Sequence, residues 1–251
     1  MTHQSEEVRS GNRSANQSAN QSANQSGDQS NDIGKIDQRK VKAKEYLLGV
    51  FRRKGKTAQT PDKGDQRLPP GQVLTKGFPV LDLGVKPEMD MASWKIEFTG
   101  LAGRQKEISL SLDDLKKLGV VQYTKDFHCV TSWSKFDVAW SGIPWKKIVE
   151  KVRPNPSWRY IIQYGADGYS TNVSREDLEK ENDEVFLAFE LDGKPLPREH
   201  GYVRLIIEHL YAWKTSKFLT KIEFVREDRP GFWEVRGYHN RGDAWKEERY
   251  S

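Results

Sequence analysis

The 251-residue sequence contains a single cysteine, Cys129. One thiol excludes an internal disulfide and any zinc site assembled from a cluster of cysteines. Long apolar runs are absent as well. Hydrophobic residues make up 35% of the chain and charged residues 31%. No apolar stretch exceeds a handful of residues, whereas a membrane-spanning helix needs about 20. The opening MTHQSEEVRSGNRSANQ has no apolar segment of the secretory kind. Arg52-Arg53 is a twin-arginine pair, but Lys54-Gly55-Lys56 follows it instead of apolar residues. The expectation is a cytoplasmic protein without a membrane span.

Residues 1–66 are also poor in aromatics, with only Tyr46 and Phe51, while all eight tryptophans fall between Trp94 and Trp245. Net charge divides at the same place. The chain carries +5, with a pI near 9.1. Residues 1–66 hold 12 Lys/Arg against 8 Asp/Glu, and residues 67–251 hold 29 against 28. A nucleic-acid-binding domain concentrates basic charge on its folded part, and this body is nearly neutral. Nucleic acid is therefore not an expected partner. Residues 14–25 repeat Ser-Ala-Asn-Gln three times; such a tract offers nothing to bury and is expected to be disordered. Residues 37–53 can form a short basic helix with Val41, Leu47, Leu48 and Phe51 as its apolar residues, resting on the body. The expected organisation is a leader over 1–66 and one domain over 67–251.

In the body, Trp94–Thr99 alternates like a strand, and Ser111 can cap a helix with Asp113 and Asp114 in its first turn. Val120–Val130 reads as a strand ending in the cysteine. Ile143–Val152 reads as a helix with Pro144 in its first turn. Tyr160–Gln163, Glu184–Leu191, Val203–Ile207 and Lys221–Val225 read as strands, and Ser174 can cap an acidic helix. Short strands with short helices, lacking regular βαβ alternation, predict an α+β fold.

The common catalytic signatures are missing. Gly49–Thr57 (GVFRRKGKT) has five residues between its glycines where a phosphate-binding loop needs four. Ser132–Lys135 fits S-x-x-K without the companion elements. What remains is Phe127-His128-Cys129, then His200-Gly201-Tyr202-Val203-Arg204, then Tyr211-Ala212-Trp213-Lys214-Thr215-Ser216-Lys217. A lone buried thiol is ordinarily inert, yet a thiolate is also the soft ligand that transition metals select. Arginine, lysines, hydroxyls and loop amides are what a phosphate needs.

These stretches, with Gly165-Ala166-Asp167-Gly168-Tyr169 and the terminal PGFWEVRGYHNR (residues 230–241), resemble the molybdopterin-binding domain of the sulfite oxidase family. Within that family they are similar to the compact bacterial oxidoreductases related to the catalytic subunit of the methionine sulfoxide reductase system. The likeness runs from about Gly71 to Tyr250. It implies a sheet-rich α+β domain and a mononuclear molybdenum held by one pyranopterin, with Cys129 as the protein's only direct metal ligand. It further implies cofactor contacts from Asp82, His128, Asp167, His200, Arg204, Thr215, Ser216 and Lys217. Asp167 and His200 would bond the pterin; Arg204, Thr215, Ser216 and Lys217 would close on its phosphate. Besides Cys129, Tyr238 and Arg241 of the terminal stretch are placed at the substrate.

The likeness has departures. Sulfite oxidases carry an arginine just after the ligand cysteine, but here Cys129 is followed by Val-Thr-Ser-Trp-Ser. Without that cation a doubly charged oxyanion loses part of its reason to bind. The resemblance thus implies an oxidoreductase performing two-electron oxygen-atom transfer on a small S- or N-oxide, fed by an external electron carrier. The alternatives are sulfite oxidation and a non-catalytic member of the fold that binds a partner.

Overall fold

The computed structural model describes residues 37–43, 67–103, 107–180 and 184–251. Leu47, Leu48, Phe51 and the Ser-Ala-Asn-Gln repeats lie outside the described residues. Residues 38–43 are helical, and Val41 is buried against the body. The Asp37 amide donates to the Leu83 carbonyl at 2.8 Å.

Two sheets build the α+β body. The first consists of β1 (Val73–Leu74), β4 (Val121–Cys129), β5 (Trp133–Pro144), β8 (Phe186–Leu191), β9 (Lys194–Pro195) and β10 (Arg204–Ile206). β5 is its spine. It pairs antiparallel with β4 and β8 and parallel with β1, while β8 also holds β10 and β9. The second sheet runs β3 (Ile108–Ser111), β2 (Lys95–Gly100), β11 (Leu219–Val225), β6 (Tyr160–Gly165), β7 (Ser170–Ser174), with β2 and β11 parallel.

Strand β2 shows the logic of the core. Lys95 and Glu97 are exposed, Ile96 and Phe98 are fully buried, and this period of two leaves one face apolar. That face meets Ile222 and Phe224 of β11, Ile161 of β6, and Ile143 and Leu187 of the first sheet. Helix α2 (Trp145–Val152) contributes Trp145, Ile148 and Val152 to the same cluster. Each large apolar side chain so buried is worth about 1.5–3 kcal/mol.

Helix α1 (Leu112–Lys116) begins as its sequence predicts, with Ser111 accepting from the Asp114 amide and Asp114 bonding back to the Ser111 amide. Helix α3 (Arg175–Leu178) is one turn under its Ser174 cap. Besides the two-residue β1 and β9, two longer strands depart from the sequence expectation. β5 covers residues 133–142, where no strand was expected because Lys135 and Asp137 interrupt its apolar pattern. Asp137 has φ 54 and opposes a register shift between Lys125 and Phe127. Asp126 accepts from the Asp137 amide, and Arg67 bridges both carboxylates. β5 also takes Ile143 and Pro144, which the sequence reading assigned to a helix; they pair with Leu187 and Phe186, and the helix starts at Trp145. β7 is the other longer strand without a sequence signal, being Ser-Thr-Asn-Val-Ser.

Candidate functional site

β4 ends in Phe127-His128-Cys129, and successive strand side chains leave opposite faces. Cys129 opens on a cleft, and the chain then reverses through a turn in which the Ser132 amide donates to the Cys129 carbonyl at 3.1 Å. Gln72 Nε2 donates to the same carbonyl at 3.0 Å. The sulfur lies 3.1 Å from Thr131 Oγ1. Backbone and side chain are both anchored, so the thiol is presented at a fixed point. The cleft has about 130 Å³ reachable by the centre of a water molecule, well above the roughly 10–15 Å³ that one water needs.

Arg204, the first residue of β10, faces the same cleft and is 2% exposed. Its Nη2 donates to the Ala212 carbonyl at 3.0 Å and to Thr215 Oγ1 at 2.7 Å, and its guanidinium lies 5.2 Å from the Phe127 ring centre. No carboxylate pairs with it among the described residues, and its Nε is buried without a partner. Burial pulls its pKa down to about 10. A buried cation left uncompensated is costly unless an anion completes it.

Asp167 occupies the turn between β6 and β7. Burial raises its carboxyl to about 6, against the Tyr169 amide and Lys217, which lower it. His200 ends a 3₁₀ turn (Arg198–His200) with its ring 4.3 Å from that of Phe78. Burial, with Arg204 and Lys217 nearby, lowers its pKa to about 4, so the imidazole is neutral at pH 7. Such groups suit the mixed donors and acceptors of a heteroaromatic ring. Thr215 and Lys217 also line the cleft, but Lys217 Nζ donates to the carbonyls of Leu81 and Glu199 at 2.8 and 2.9 Å. Asp82 lines it too. Burial works to raise its pKa, and Lys40, the Gly84 amide and Lys86 outweigh this and hold it well below the usual carboxylate range.

Three residues named from the sequence stand outside the cleft lining. His128 projects from the face of β4 opposite Cys129, where Nδ1 meets Ser134 Oγ at 2.8 Å and the ring packs edge-on to Trp245. Ser216 is fully buried; its amide donates to Gln163 Oε1 and its hydroxyl to the Lys217 carbonyl. Arg241 is drawn away by Asp177, which it contacts at 2.9 Å through Nε and 2.8 Å through Nη2. Tyr238 does line the cleft, within an aromatic wall that sequence reasoning did not assemble. Trp213, Trp233 and Tyr250 surround it at ring distances of 5.0, 4.9 and 5.5 Å. Tyr169, whose hydroxyl donates to the Trp213 carbonyl, continues that wall. No spacing in the sequence links these rings, because they come from β7's approach, a 3₁₀ turn and the C-terminal segment.

Among the described residues no group of three or more His, Cys, Asp or Glu could hold a metal ion. A metal at Cys129 would therefore draw most of its donors from the molecule carrying it. The orphaned Arg204, the neutral His200 and the buried Asp167 around one cleft fit a large heteroaromatic cofactor with an anionic end.

Fold and cleft define a molybdopterin-binding oxidoreductase. The family model described as "Oxidoreductase molybdopterin binding domain" matches residues 83–233, and the chain belongs to that family. It is 39% identical to the uncharacterized oxidoreductase YuiH of Bacillus subtilis over 199 residues, covering 78% of this chain and 98% of that protein. It is 29% identical to the protein-methionine-sulfoxide reductase catalytic subunit MsrP of Ralstonia nicotianae over 57% of this chain, and 25% identical to mouse mitochondrial sulfite oxidase over 68%. It spans 46% and 37% of those two longer proteins. In fold it resembles the sulfane dehydrogenase SoxCD of Paracoccus pantotrophus, with a TM-score of 0.54 and 15% identity over 66% of this chain and 48% of that one. The protein is thus a sulfite oxidase-like, molybdenum-dependent oxidoreductase. No helix among the described residues is long and apolar enough to cross a membrane.

Proposed function

We propose that this enzyme performs two-electron oxygen-atom transfer on a small, uncharged S- or N-oxide, using electrons from an external carrier. One observation carries the reading: the cleft combines a single buried, incompletely bonded arginine with a largely aromatic and apolar lining. Arg204 offers an anion site, whereas Phe127, Trp133, Trp213, Trp233, Tyr238 and Tyr250 make much of the remaining lining apolar. When bound, the single molybdenum of the cofactor supplies the redox chemistry, with the balance R₂SO + 2H⁺ + 2e⁻ → R₂S + H₂O.

The chain's part is to bind and orient. The Cys129 thiolate is the protein's ligand to the metal. Arg204 and Thr215 hold the anionic end, and the loop amides and Lys217 close beside them. Asp167 and His200 bond the ring system. Tyr238 and its neighbouring rings exclude water and receive the substrate. Sulfite is the weaker candidate. Arg204 and Lys217 are the only arginine or lysine side chains lining the cleft among the described residues, and His200 there is neutral at pH 7. Arg249, near the turn after Cys129, is held by the Val130 carbonyl at 2.6 Å and lies 4.8 Å from the Tyr211 ring centre. The naming of the MsrP relatives for methionine sulfoxide points the same way.

The test pairs metal analysis with turnover. Protein from a cofactor-competent host should carry about one molybdenum per chain and reduce dimethyl sulfoxide or an amine N-oxide with reduced viologen. Cys129→Ser should lose turnover to background while its unfolding free energy stays within about 1 kcal/mol. Rapid sulfite oxidation with ferricyanide, without oxide reduction, would overturn the proposal.

A further inference from the structure

Two tryptophans of the cleft wall are each followed by a buried charge: Trp213 by Lys214, Trp233 by Glu234. Lys214 Nζ and Glu234 Oε1 lie 2.6 Å apart, with side chains 1% and 2% exposed. The ammonium also donates to the Asn172 side-chain oxygen and to the Asn240 carbonyl. Its three protons are thereby used. Glu234 Oε1 accepts a further bond from Thr171 Oγ1 at 2.6 Å. On its outer side the ammonium lies 4.9 Å from the Trp213 ring centre. The ion pair thus joins β7, the 3₁₀ turn Ala212–Lys214 and the C-terminal segment immediately behind the aromatic wall.

A pair this dry is a poor source of stability, because desolvating both charges consumes most of their attraction, and apolar residues of similar volume fill such sites without loss. Burial indeed pulls the Lys214 pKa down, against Glu234. Directional bonds are what an apolar pair cannot supply. They fix the two backbones at Trp213-Lys214 and Trp233-Glu234, and hence the two indoles on the cleft side. Between those indoles stands Tyr238, 5.0 Å from one ring centre and 4.9 Å from the other.

We propose that the Lys214–Glu234 pair is the positioning device for Tyr238: it locks Trp213 and Trp233 on the two sides of that ring and so sets the substrate wall of the cleft. Lys214 and Glu234 touch no reacting group and act through the tryptophans. The inference rests on the reading of Tyr238 as substrate-facing, and the experiment separates the two.

The holoenzyme carrying Lys214→Met together with Glu234→Met should keep its molybdenum content and thermal midpoint. Its KM for dimethyl sulfoxide, with a viologen donor, should rise about tenfold while kcat changes less. The indole N–H signal of Trp213, assigned with Trp213→Phe, should broaden in the double variant. A folded double variant with wild-type KM and a sharp Trp213 signal overturns the proposal. If the double variant does not fold, Glu234→Gln, which keeps the shape and an acceptor, must raise KM, and a wild-type KM there overturns it equally. Tyr238→Ala with unchanged KM would sink only the substrate-facing reading, leaving the indole signal to decide whether the pair orders the wall.

Discussion

Arg204 is a charge that no described residue neutralises. Among the described residues its buried Nε has no partner, and its bonds run to the Ala212 carbonyl and the Thr215 hydroxyl. Stability of the cofactor-free protein and retention of the cofactor should therefore respond to it in opposite directions. Arg204→Met should stabilise the cofactor-free form by about 1–3 kcal/mol in denaturant titration, since an unpaired buried charge is removed. The same change should weaken pterin retention in dialysis by about 10–100-fold, the worth of a lost charge-assisted bond. His200 and Asp167 make a second residue-level test. The folded pKa of His200 is about 4 against an ordinary 6.5. Between those values the unfolded chain binds a proton that the folded chain does not, so this contribution to stability grows as pH rises and is lost on acidification. Asp167 has the opposite sign, because its pKa is raised to about 6 from 3.8 and its contribution shrinks as pH rises through that window. The gain in unfolding free energy between pH 5 and pH 7 should be smaller in His200→Gln and larger in Asp167→Asn.

At the scale of elements, the cleft depends on close approach between the β6–β7 turn and the segment before β11. A methyl on Gly165 would stand 2.5 Å from the Lys217 carbonyl oxygen and 2.7 Å from Ser216 Oγ, and would also strike the Asp167 carboxylate. Gly201 is similarly confined, with φ +98 and the Phe218 amide 2.6 Å from its would-be Cβ. Gly165→Ala should cost about 1–3 kcal/mol of stability as an overpacked contact. It should also lower molybdenum content more than an equally destabilising change in the distant core, because it separates Asp167 from the 215–217 segment. Metal per folded chain, set against the unfolding free energy, checks this.

For the whole molecule, one core joins the two sheets. Phe224 of β11 meets Trp145 at 6.0 Å and Trp158 at 5.2 Å between ring centres, within a cluster that includes Ile143 and Leu187 of the other sheet. Phe224→Ala should cost about 3–5 kcal/mol. Backbone circular dichroism and tryptophan fluorescence should still report one coincident transition. Separated transitions would show that the sheets unfold independently.

Much of this body was readable as a string of residues, for reasons that are local. Hydrophobic alternation marks β2, Ser111 and Asp114 mark the start of α1, and the apolar run into Cys129 marks β4. Asp167, His200, Arg204, Thr215 and Lys217, which we propose hold the cofactor, could be named because each lies in a short stretch with family likeness, and they line one cleft. β5 and β7 were not readable from a pattern of their own: β5 is held between β4 and β8, and β7 is an edge strand held by β6. The same holds for the aromatic wall, the Lys214–Glu234 pair and the diversion of Arg241 to Asp177. Strand alternation, a local rule, would have turned His128 away once the end of β4 was known. Which distant rings and charges meet depends on how two sheets and a C-terminal segment pack, and packing is a property of contacts between residues far apart in the chain.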